Sequence, residues 1–116
     1  LILIVRVSVI ALFSSTALSV ATMAPAHAAL DDAAAQALLK KHRCTTCHKV
    51  ERTVVGPSFQ DVAKKRRGQP SAVDDLKKVV RNGSTGTYGT ASMPAFSADK
   101  ISDADLTDVI QWILTR

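Results

Sequence analysis

Five consecutive residues constrain this chain more than any other stretch: Cys44-Thr45-Thr46-Cys47-His48. In a Cys-x-x-Cys-His run the two thiols can bond covalently to the vinyl groups of a haem, and the adjacent histidine can reach the iron from one face. One short stretch then sets a cofactor, its tether and one axial ligand.

Two other chemistries use a Cys-x-x-Cys pair. A thioredoxin-like dithiol wants a strand before the motif and a βαβ frame, and the patterns around this one are helical. A structural zinc site wants four ligands. The chain has only two cysteines, and adding His42 and His48 would crowd all four ligands into seven residues. Covalent haem is the reading carried forward. One motif predicts one haem, with no disulfide, because both cysteines are used.

Leu1 to Ala24 is apolar apart from Arg6 and several Ser and Thr residues, and Pro25-Ala26-His27-Ala28 ends in Ala-x-Ala. This predicts a secretory signal peptide over residues 1–28, cut after Ala28, and export to the periplasm. A retained membrane anchor competes, weakened by the hydroxyl residues. The absence of an initiator Met predicts that the sequence starts inside the precursor. Residues 29–116 then form one small monohaem domain, of a size at which a protein-only core is marginal. A tethered haem supplies a large apolar plate for short helices, and export suits haem attachment outside the cytoplasm. The net charge of +5 includes Arg6. The excess is too small, and the motifs are wrong, for nucleic acid; it suits a protein partner with an acidic surface.

The mature part reads as helices. Asp31 or Asp32 caps a first helix, 33–43, with Ala35, Leu38, Leu39 and His42 on one stripe. His42 is read as a partly exposed helix-end residue, not a ligand, because His48 holds the motif position. After an irregular stretch, Gly56-Pro57 breaks the chain. The Pro57 carbonyl is free to accept from the ring N–H of His48, which would orient the imidazole; a plain turn proline is the alternative. Ser58 caps a second helix, 59–67, with Phe59, Val62 and Ala63 inward. Lys64-Lys65-Arg66-Arg67 is either a solvated face or a docking patch. Ser71 caps a third helix to Arg81, with Val73, Leu76, Val79 and Val80 inward, stopped by Asn82-Gly83. Residues 83–92 form a loop too polar for a core strand. Its Tyr88 either packs at the haem edge, bonding a propionate, or simply packs in the loop.

Met93 is the only methionine after the signal peptide. On its own it would read as core filler. With a haem motif upstream and enough chain between to wrap the plate, it reads as the second axial ligand, a soft neutral thioether that raises the potential. Phe96 covers that side. Ser102 and Asp105 open the last helix in a variant capping box. Leu106, Val109, Ile110, Ile113 and Leu114 face inward with Trp112, and this helix is expected to cross the first.

The ordered set Cys44–His48, Val55 to Ala63, Arg81-Asn82-Gly83-Ser84, Met93-Pro94 and the helix around Trp112 resembles a class I c-type cytochrome, closest to the small bacterial c-551/c-552 group. The resemblance covers essentially the whole mature domain. It implies an all-α fold of four or five short helices around one haem c, thioethers from Cys44 and Cys47, low-spin iron between His48 and Met93, and Pro57, Phe59 and Tyr88 lining the cofactor. Related proteins often carry a tryptophan where Tyr88 stands, and an arginine near a propionate where Val79 stands. Either Arg81 or Tyr88 takes that contact here, or the propionate is more exposed than in those relatives.

The function implied is a periplasmic one-electron carrier between redox complexes, expected to be a monomer, with no substrate turnover and no acid–base residue. Asp99, Asp103, Asp105 and Asp108 are read as caps and surface. Lys40, Lys41, Lys49, Lys64 and Lys65 are candidates to steer partners towards the haem edge. A dedicated cytochrome subunit of an oxidoreductase is the alternative, and a haem sensor, with Met93 off the iron, a third.

Overall fold

The computed structural model describes residues 29–116; the expected signal peptide and its cleavage site lie outside the described residues. Four short helices form the domain: α1 (Asp32–Lys41), α2 (Phe59–Arg66), α3 (Ala72–Asn82) and α4 (Asp103–Ile113). One 3-10 turn, Cys44–Thr46, follows α1, and a two-rung antiparallel ladder pairs β1 (Ser84–Thr85) with β2 (Ser92–Met93). The fold is the all-α one expected. The ladder is an addition to the expected loop. It holds no core: Thr85 and Ser92 are exposed, and their hydroxyls lie 3.1 Å apart across it.

Local chemistry explains where the helices begin. The Asp31 carboxylate accepts from the Ala34 N–H at 2.7 Å, Ser58 Oγ from the Asp61 N–H at 3.0 Å, and Ser102 Oγ from the Asp105 N–H at 3.1 Å. Each satisfies a backbone donor that the first turn leaves open. Ser71 behaves differently from expectation. Its hydroxyl donates to the Asp75 carboxylate at 2.7 Å instead of capping the backbone of α3. The Asp105 half of the capping box is likewise used elsewhere, because its carboxylate reaches back to α1.

The core joins Ala35 and Leu39 of α1 to Phe59 and Val62 of α2, Leu76 of α3 and the inner face of α4. Leu39 is fully buried, so truncation to alanine costs about 2–5 kcal/mol. The α1–α4 packing brings the ends of the domain together. Asp32 accepts from Trp112 Nε1 and from Arg116 Nη1, both at 2.9 Å, and the Arg116 guanidinium lies 4.2 Å from the Trp112 ring centre.

His42 is the partly exposed helix-end residue expected, capping the C-terminus of α1, but it does more than end a helix. Its side chain is only 8% exposed. Nδ1 lies 2.8 Å from the Lys100 carbonyl oxygen and Nε2 3.0 Å from Asp105 Oδ2. Both partners are acceptors, so the two bonds together need an N–H on each ring nitrogen. His42 thus fastens α1, just before the cysteine motif, to the start of α4. Asp105 is correspondingly not a plain surface residue.

Candidate haem site

The helices surround an apolar cavity with about 1350 Å³ of atom-free space counted out to its open mouth. Leu39, Val62, Leu76, Val80, Leu106 and Ile110 supply its wall from all four helices. All seven residues singled out in the sequence, Cys44, Cys47, His48, Pro57, Phe59, Tyr88 and Met93, line this one space.

On the histidine side the chain folds tightly on itself. Arg43 takes a left-handed conformation (φ 63°) that ends α1 and starts the cysteine turn. The His48 N–H donates to the Cys44 carbonyl at 3.0 Å, and the Gly56 N–H to the Cys47 carbonyl at 2.8 Å. His48 Nδ1 donates to the Pro57 carbonyl at 2.8 Å. That bond fixes the proton on Nδ1 and leaves Nε2 its lone pair, the state a metal-ligating imidazole needs. The Phe59 ring stacks on the imidazole at 5.4 Å between centroids and 16° between planes. Gly56 was legible only as a chain break, yet it is a packing requirement. A Cβ there would sit 2.6 Å from His48 Cε1.

On the methionine side, Met93 closes the ladder opposite Ser84. Gly83 ends α3 with φ 77°, and a Cβ on it would lie 2.7 Å from the Met93 carbonyl oxygen. Phe96 lines the cavity, its N–H donating to the Val80 carbonyl at 2.9 Å.

Two polar expectations change. Arg81 does not line the cavity. Nη1 donates to the Phe96 carbonyl at 3.0 Å and Nη2 to Asp103 at 2.6 Å, so it braces the methionine loop. The run Lys64–Arg67 is not one solvated face. Lys65 lies 4.6 Å from the Tyr88 ring centre and donates to the Thr87 carbonyl at 3.3 Å, while Arg67 donates to the Leu114 and Arg116 carbonyls. Arg66 lines the cavity.

The donor set discriminates among the Cys-x-x-Cys chemistries. Burial pushes the Cys44 thiol up, whereas a reactive dithiol depends on a thiolate stabilised well below its usual value. Among the described residues no group of three or more His, Cys, Asp or Glu side chains is placed to hold a metal ion, which leaves zinc without a ligand set. An apolar cavity bearing two thiols, an oriented imidazole and a thioether fits a tethered haem.

This fold and this site define a class I c-type cytochrome. A family model described as cytochrome c oxidase, cbb3-type, subunit III, matches residues 30–113. The chain is 43% identical over 77 residues to cytochrome c2 of Rubrivivax gelatinosus, covering 66% of this chain and 91% of the relative. It is 38% identical over 103 residues to cytochrome c-552 of Nitrosomonas europaea, covering 89% and 90%. The crystal structure of wild-type Nitrosomonas europaea cytochrome c552 superposes with a TM-score of 0.63 at 39% identity, over 69% of this chain and 96% of that one. The chain belongs to the c-551/c-552 family of class I cytochromes c, whose members transfer electrons and turn over no substrate. Its cysteine pair is consistent with covalent haem c.

Proposed function

We propose that the chain is an exported one-electron carrier, cut after Ala28 and working in the periplasm as a monomer, with haem c held through Cys44 and Cys47 and its iron between His48 and Met93. Haem c supplies a one-electron couple. The protein's residues do the rest. Pro57 and Gly56 hold the His48 ring in one orientation and one tautomer, Phe59 packs on its face, and the aliphatic wall keeps water from the cavity. The observation that carries the reading is the Nδ1–Pro57 bond of His48 inside the same cavity that Met93 lines. Val54 and Val55, 47% and 56% exposed, form an apolar rim beside Gly56 where a redox partner can dock. Lys40, Lys41, Lys49, Lys64 and Lys65 are all exposed and favour an acidic partner.

The test is the optical spectrum of the purified protein in both redox states, with carbon monoxide added to the reduced form. Low-spin bands, a weak far-red methionine–iron band when oxidised and no response to carbon monoxide are expected. A high-spin spectrum or rapid carbon monoxide binding would remove Met93 from the iron and turn the reading to sensing. The description of the matched family favours one second reading, a dedicated cytochrome subunit of an oxidoreductase. A large enzyme co-purifying in fixed ratio would favour it.

A further inference from the structure

The geometry points to Arg66 of α2, together with Tyr88, as the donors that hold a haem propionate; the inference rests on the haem reading above. Both side chains line the cavity. Among the described residues each carries a buried polar atom without a hydrogen-bond partner: Arg66 Nε and the Tyr88 hydroxyl. A buried donor left unpaired is costly, and a charged one more so. Two of them among the residues that line one cavity call for an acceptor inside it.

Lys65 brings the two together. Its ammonium sits over the Tyr88 ring and bonds the Thr87 carbonyl, so the residue beside Arg66 fastens the Tyr88 loop to the last turn of α2. The ligand chemistry required is an anionic acceptor at the edge of an apolar body. A guanidinium is always charged and its fork matches a carboxylate, while the phenol adds a single O–H. Haem c presents carboxylates at one edge of an apolar macrocycle. Among the described residues Arg66 is the one Lys or Arg that lines the cavity. Arg81 is bonded to Phe96 and Asp103 outside the cavity, and the third unpaired donor, Arg116 Nε, belongs to the clamp over Trp112. Val79 lines the wall with no polar atom to offer.

A carboxylate beside a fixed positive charge stays ionised to lower pH. A propionate that titrates near the iron makes the reduction potential fall with rising pH across its titration range. Arg66 therefore keeps that fall at acid pH, away from neutrality.

The experiment measures midpoint potential against pH, from about pH 4 to 9, for the haem-loaded protein and for Arg66→Gln, Arg66→Lys and Tyr88→Phe. Arg66→Gln is expected to move the falling segment up by about 1 to 3 pH units. Arg66→Lys keeps it near its original position, and Tyr88→Phe moves it up by less. A haem-loaded Arg66→Gln protein whose profile superposes on that of the unsubstituted one overturns the assignment. Proton NMR of the unsubstituted protein tests it without a substitution. A slowly exchanging Arg66 Nε–H in contact with propionate methylene protons is expected, and an Nε–H that exchanges freely, without that contact, overturns it. An unsubstituted protein with no covalent haem would fail differently, bringing down the proposed function and this inference with it.

Discussion

The two sides of the cavity are built to different standards. Around His48, residues 44–60 tie back on themselves through backbone bonds. Cys44, Cys47, Lys49 and Val50 all accept from neighbours in this stretch, and the imidazole is gripped by Pro57, Gly56 and Phe59 at once. Around Met93, a two-rung ladder, the Phe96–Val80 bond and the Arg81 brace do the equivalent work, and the intervening loop includes Gly86 and Gly89, both at positive φ with open space around them. The lesson concerns rank. A charged-state-sensitive imidazole has its tautomer and plane fixed by several contacts, while the thioether rests on a few. The methionine side should open first under any stress.

The harshest way to break that contrast is to disturb the better-built side. Gly56→Ala places a methyl against the His48 ring, and overpacking of this kind costs about 1–3 kcal/mol. The ring must move, taking the Pro57 bond with it. For a domain this small each kcal/mol lowers the thermal midpoint by roughly 4–8 °C. Poor haem loading or a changed low-spin spectrum, with a lowered midpoint, is expected from electronic spectra and a thermal melt. Unchanged spectra and midpoint would mean that Gly56 is only a chain break, and the histidine side no better determined than the other.

A weaker perturbation acts on Met93 alone. Gly83→Ala meets both a positive-φ, extended-ψ backbone (φ 77°, ψ 174°) open almost only to glycine, worth about 1–3 kcal/mol, and the Met93 carbonyl. Gly86→Ala meets the same sign of φ (80°) with nothing within 4 Å. The pair separates strain from contact. Gly83→Ala should weaken the far-red methionine band and admit carbon monoxide while histidine ligation persists; Gly86→Ala should leave the band intact. Equal effects would show that the Gly83–Met93 contact has no special role.

The same contrast explains what the sequence could and could not say. The capped helix starts at Ser58 and Ser102, the apolar stripes and the cysteine motif are local patterns, and a linear reading finds them. The seven cavity residues followed from residue types that haem chemistry needs. What escaped were relations between distant segments. Gly56 looked like punctuation because only the folded His48 ring makes its missing Cβ necessary. His42 looked like no more than a helix end because Lys100 and Asp105, which its ring bonds, lie far along the chain. Lys64–Arg67 looked like one charged face, although helical geometry sends each side chain in a different direction, to Tyr88, into the cavity and to the C-terminal carbonyls. Ser71 carried a correct capping residue type, but its hydroxyl found the Asp75 carboxylate first.

The mildest test sharpens the comparison by pH. The Arg81 guanidinium donates a hydrogen bond to Asp103 and adds its charge, with Lys77 contributing, and together these hold the carboxyl below the ordinary carboxylate value. A lowered folded value means a contribution that is present above the unfolded aspartate value of about 3.9 and is lost as pH falls through the lower folded one. Arg81 also donates to the Phe96 carbonyl, three residues beyond Met93. Protonating Asp103 therefore weakens one of the two anchors of Arg81, loosening the brace on the methionine loop, and touches none of the bonds around His48. Because Asp103 is exposed, the effect of the pair is small and screened by salt. Asp103→Asn should show a slightly weaker far-red band at neutral pH, and its curve should converge with that of the unsubstituted protein as pH falls below the ordinary aspartate value of about 3.9. Curves that stay parallel through the acid range would place the acid sensitivity of the methionine side elsewhere.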